Sequence, residues 1–99
     1  IQKVIAETEF EKGLHLIDTK IIKALSNSIR RDVISSLNKH EQLRFTDIKN
    51  ILNIQDATKL SFHLRILKEL KIIDQDQNKI YRLSWKGKGI YKIVKIRSY

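Results

Sequence analysis

Leu60, Leu64 and Leu67 recur within "KLSFHLRILKEL" at the spacing of one helical face, and that periodicity constrains the fold more than any other feature of the chain. Ile66 and Leu70 widen the stripe, and Asp56 is placed to cap the helix at its start. With the leucines turned to a core, Thr58, Lys59, Ser61, Phe62 and Arg65 project outward near the N-terminal end. The free amides and positive dipole end of a helix N-terminus also suit a phosphate there.

The flanking segments extend this pattern in both directions. Upstream, "LRF" at 43 to 45 reads as a short extended piece, and Thr46 is placed to cap "DIKNILN", whose buried side is expected to hold Ile48, Ile51 and Leu52. Asn53 falls where a helix closes on a left-handed residue, which asparagine tolerates. Further back, Asp18 and Asn27 are expected to cap "TKIIKAL" and "SIRRDVISSLNKH", with Ile29, Val33, Ile34 and Leu37 on one face of the second. Arg30 and Arg31 early in that helix are read as structural, one of them pairing with an acid such as Asp32 or Asp47.

Downstream, "IIDQ" and "KIYRLS" are two short strands separated by the turn-prone "DQN". Alternation sets Tyr81 and Leu83 on one face and Ile80 and Arg82 on the other. Ser84 then caps a last helix with an apolar stripe through Trp85, Ile90, Ile93, Val94 and Ile96. The fold class is therefore mainly α with a small β-hairpin: two helices joined by a tight turn, the second followed by a hairpin, make a winged helix-turn-helix. Residues 1–17 carry no clear period and are read as an N-terminal arm, with the domain at 18–99.

At 99 residues the chain is long enough for one domain and one modest core, which gains from pairing with a second copy. Lysine and arginine total 20 against 11 acids, giving a formal charge of +9. A surface of that sign attracts polyanions. From Lys79 onward come Arg82, Lys86, Lys88, Lys92, Lys95 and Arg97, without one Asp or Glu.

Cysteine is absent, which excludes a disulfide framework, a zinc-thiolate site and a catalytic thiol. No apolar run approaches the roughly 20 residues that span a bilayer, and the N-terminus does not read as a signal peptide, so a cytoplasmic protein without membrane contact is expected. The sequence starts at Ile1 and holds no methionine, so it is expected to be trimmed, processed or an excerpt. Neither a glycine-rich phosphate loop nor a Ser-His-Asp arrangement can be assembled, so an enzyme is not expected.

Taken in order, "ALSNSIRRDVISSL", "LSFHLRILKELKII" and "IYRLSWKGKGIYKIV" resemble the ArsR-like winged helix-turn-helix regulators, especially archaeal members with a Leu-Ser-Phe/Tyr-His-Leu pattern. The likeness covers about residues 20 to 95. It implies a dimeric transcriptional regulator that reads the major groove of double-stranded DNA with helix 58–71 and meets the backbone with the wing, 72–84. Carried over, Ser61, Phe62, His63 and Arg65 fall in the DNA-reading helix, and Lys79 and Arg82 on the wing. Two departures stand out: Lys71 replaces the glycine usual at the end of the recognition helix, and the turn is a residue longer. The cysteine pair of metal-sensing members and the His and carboxylate ligands of the terminal-helix site are also missing, so no metal or cofactor is expected.

Individual side chains keep two readings. Lys59 and Arg65 address guanine or phosphate, or are simply solvated; Phe62 presses on a thymine methyl, or covers a neighbouring helix. His63 makes either a phosphate contact or an inter-helix hydrogen bond, and His15 and His40 are ordinary surface residues. Trp85, Ile90, Ile93 and Val94 form the dimer contact together with the arm, or part of that stripe belongs to the monomer core. The functional alternatives are a winged-helix module for an acidic protein partner and the DNA-binding part of a larger sensor.

Overall fold

A computed structural model describes residues 18–97; the expected arm, 1–17, lies outside them. The elements run α1 (Thr19–Leu25), α2 (Ser28–His40), α3 (Phe45–Ile51), α4 (Ala57–Glu69), β1 (Ile73–Gln75), β2 (Tyr81–Leu83) and α5 (Trp85–Arg97). The two strands pair antiparallel with Ile73 opposite Leu83 and Gln75 opposite Tyr81. Leu43 bridges Tyr81 on the other edge of β2, through Leu43 N–H to Tyr81 O at 3.1 Å and Tyr81 N–H to Leu43 O at 2.8 Å. The architecture is a winged helix-turn-helix, as its order of apolar periods predicts.

Each helix starts where a side chain or backbone group can satisfy open amides. Asp18 accepts from Ile21 N–H at 3.0 Å and Asn27 from Arg30 N–H at 3.2 Å. At α3 the expectation of a Thr46 cap does not hold. The helix already begins at Phe45, and the Asp47 carboxylate reaches back to the Arg44 N–H at 2.9 Å, the reverse half of a capping box. The extended piece shrinks accordingly to the bridge at Leu43.

Both helices of the helix-turn-helix end in the same hydrogen-bonded closure around a left-handed residue. At Asn53 (φ 56), Asn53 N–H donates to Asn50 O and Ile54 N–H to Lys49 O. At Lys71 (φ 65), Lys71 N–H donates to Lys68 O and Ile72 N–H to Leu67 O. Lys71 thus closes α4 with a side chain in a left-handed conformation that glycine adopts more readily.

The core gathers around α2, which packs against α1, α3, α4, β2 and α5. Ile21, Val33, Ile34, Leu37, Ile48, Leu60, Leu64, Leu67, Ile72 and Ile90 are fully buried. Ile51 departs from expectation: it is 45% exposed, because so short a helix holds only Ile48 fully against the core. Ile90 and Ile93 are also buried within this one chain, so that part of the apolar stripe of α5 is core. The side chain of Val94 lies outside the described part.

The first turn of α5 is joined to the exit of α4. Ser84 Oγ lies 2.6 Å from Lys71 O and 3.0 Å from Ile72 O, and accepts from Gly87 N–H at 2.9 Å, the expected cap. Lys86 Nζ donates to Leu70 O at 3.0 Å. Among the described residues no helix is long and apolar enough to cross a membrane.

Candidate nucleic-acid interface

Helix α4 sorts its side chains as the leucine period requires. Leu60, Leu64 and Leu67 are buried, while Thr58, Lys59, Ser61, Phe62 and Arg65 are exposed along the opposite side. Phe62 is 47% exposed. Its face lies under the Arg65 guanidinium, 5.7 Å from the ring centre, a separation at which a cation is attracted to the ring. Neither Lys59 nor Arg65 has an ion-pair partner among the described residues, so both charges are open to an outside anion.

At the helix start two sequence expectations compete, and the cap prevails. Asp56 Oδ1 accepts from Thr58 N–H at 2.9 Å and Lys59 N–H at 3.2 Å. The leading amides are thereby occupied by a carboxylate, and the helix N-terminus is not the phosphate site expected of it. Cationic side chains must supply any such contact.

His63 stands apart from the other residues of its set. It is 6% exposed, on the inner side of α4, and its Nδ1 accepts from Arg30 Nη1 at 3.0 Å. Of its two readings, the inter-helix hydrogen bond is the one observed. Burial first, then the Arg30 and Lys59 cations, hold the imidazole below its ordinary value of 6.5. Against the expectation that one of Arg30 and Arg31 pairs with an acid, neither does among the described residues: Arg30 Nε donates to Ala24 O at 2.9 Å and Arg31 Nη1 to Leu25 O at 2.7 Å. The end of α1 comes so close to α2 that its open carbonyls compete successfully for the guanidinium groups.

The wing is organised by Asp76. Its Oδ1 accepts from Asn78 N–H at 2.8 Å and Ile80 N–H at 3.0 Å, and its Oδ2 pairs with Arg82 Nη1 at 2.7 Å. Arg82 Nη2 also donates to Gln42 Oε1 at 2.6 Å, so this residue fastens the wing to the body. The Arg82 hydrogen bond, followed by that of Ile80, holds the Asp76 carboxyl below the usual range. Lys79, at φ 65 in the turn, donates its backbone N–H to Asp76 O at 2.9 Å, and its exposed side chain has no hydrogen-bond partner among the described residues.

Arg44 is a cation beside the wing that sequence reasoning missed. It is exposed and donates from Nη1 to Asn78 O at 3.0 Å, which places it beside Lys79 at the turn. Its isolated position between two elements gave no periodic signal; only the bridge at Leu43 brings it to the hairpin.

This fold, with one exposed cationic helix face and a basic wing, defines a winged helix-turn-helix protein. Residues 18–94 match the family described as Domain of unknown function (DUF7347), and the chain belongs to that family. A search of the curated proteins finds no match.

Proposed function

We propose that this protein is a DNA-binding transcriptional regulator of the cytoplasm, working as a homodimer. In this reading residues 58–71 enter the major groove and the wing, 72–84, follows the backbone. The single observation that carries it is the division of α4, where the leucines are sealed in the core and Thr58, Lys59, Ser61, Phe62 and Arg65 are left together on the surface. A helix fits the major groove, Arg and Lys address guanine there, and an apolar ring meets the thymine methyl. The resemblance to ArsR-like regulators and the charge of +9 support the same reading.

The dimer half of the proposal rests chiefly on Trp85, which is 76% exposed at the start of α5. With Ile90 and Ile93 used by the core, Trp85 is, among the described side chains of α5, the large apolar group exposed to a second copy. Because Ser84, Lys86 and Gly87 lock this end of α5 to the exit of α4, a contact there would fix the separation of two recognition helices. That separation is expected at roughly 34 Å, one turn of DNA, on an inverted repeat.

Gel-shift titration tests the reading. Random duplex should be bound at low salt, and the affinity should fall by about 0.9 log units per neutralised phosphate for each log unit of salt. Absence of any shift at low salt rejects DNA binding and favours a module for an acidic protein partner.

A further inference from the structure

Arg30 touches three helices at once. It stands in the first turn of α2, donates from Nε to Ala24 O in α1, and donates from Nη1 to Nδ1 of His63 in α4, 33 residues away. A guanidinium only donates, so Nδ1 must hold a lone pair; the imidazole is neutral, with its proton on Nε2. The same ring meets Phe62 edge to face, with centroids 5.4 Å apart, and Phe62 lies beneath Arg65. An unbroken series of contacts thus runs from an α1 carbonyl to Phe62 and Arg65 on the candidate DNA-reading face.

The charged groups acting on His63 are both cations: Arg30 from α2 and Lys59 from its own helix. No carboxylate pairs with it among the described residues. Leucine contacts bury α4 but have no preferred direction, whereas a hydrogen bond of fixed donor and acceptor restricts the helix's rotation about its axis.

We propose that Arg30 and His63 are a positioning pair, which sets the rotation of α4 relative to α1 and holds only while His63 is neutral. A proton on Nδ1 removes the acceptor and turns an imidazolium toward a guanidinium at a contact 3.0 Å long in the neutral state. The two groups then separate, and Phe62 and Arg65 move with the ring that supports them. The consequence for DNA rests on the function proposed above. Its sign is diagnostic: added positive charge ordinarily tightens binding to DNA, whereas this joint makes sequence-specific binding weaker in acid.

The test follows the His63 imidazole and the α4 amides by NMR in the whole protein between about pH 8 and about pH 5, beside anisotropy titrations against a selected duplex. The Phe62 and Arg65 amides should shift with the midpoint of His63, and specific affinity should fall about tenfold or more over that range. His63→Gln, whose amide oxygen can accept from Arg30 but does not titrate, should keep neutral-pH affinity within about threefold and lose the acid response. Amides of Phe62 and Arg65 that ignore the titration of His63 overturn the proposal, and so does an unchanged acid response in His63→Gln. If that variant fails to fold, the wild-type titration decides alone. Coupled shifts without binding to any duplex support the joint and reject the DNA reading.

Discussion

Gly87 presses its backbone against the carbonyl of Ile72: a β-carbon added there would lie 2.1 Å from Ile72 O. Only hydrogen fits at that contact, and the neighbour is backbone, which cannot rotate aside. Gly87→Ala is therefore expected to destabilise the fold by the upper end of about 1–3 kcal/mol or more. Urea unfolding would show it as a lower midpoint. An unchanged midpoint would mean that α5 is not seated on the end of α4 as described.

Lys71 closes α4 at φ 65, a conformation that costs a side chain about 1–2 kcal/mol. Removing the β-carbon relieves this, while glycine gives back some of the gain through a freer unfolded chain. Lys71→Gly is expected to raise stability by about 0.5–1 kcal/mol net. Lys71→Val should lower it, since a branched β-carbon is strained further in the left-handed region. Equal melting behaviour of the two variants would contradict the assigned turn.

Arg65 and Lys79 are expected to act differently on DNA. Arg65→Ala should cost about 1–3 kcal/mol of binding and relax the preference at one base position. Lys79→Ala should weaken all sequences alike and reduce the salt slope by about 1. Binding-site selection with each variant separates the roles; a uniform loss for Arg65→Ala would make it a phosphate contact instead.

Two acid-sensitive contributions to stability occupy separate pH ranges. For His63 the folded-state pKa is depressed, so its contribution is complete above the ordinary 6.5 and is lost as pH falls from there through the folded value. For Asp76 the depression is below 3.8, held mainly by Arg82, and its contribution is lost only as pH falls through that lower value. Thermal melts across pH should show both losses. His63→Gln should remove the first and leave the second; Asp76→Asn should do the opposite.

The class of fold was legible in the sequence because it depends on local rules. The period of Leu60, Leu64 and Leu67, the caps at Asp18, Asn27, Asp56 and Ser84, and the alternation around Tyr81 and Leu83 each act within a few residues. Local signals also placed Thr58, Lys59, Ser61, Phe62 and Arg65 on one outward face. They failed where two local options competed, as at Thr46 and Arg44, or where a short helix had little core to lie on, as at Ile51.

Tertiary structure alone decided the partners of the polar groups. That Arg30 would choose Ala24 O and His63 over an acid, that Arg82 would serve the wing, and that Arg44 would stand beside Lys79 depends on which distant segments meet. The same holds for Ile90 and Ile93, whose burial inside the chain leaves Trp85 exposed. Periodicity states which side of a helix is apolar, since that follows from the backbone's own repeat. It does not state what will lie opposite, because the hydrogen-bonding partner of a long side chain is fixed by packing between segments far apart in sequence.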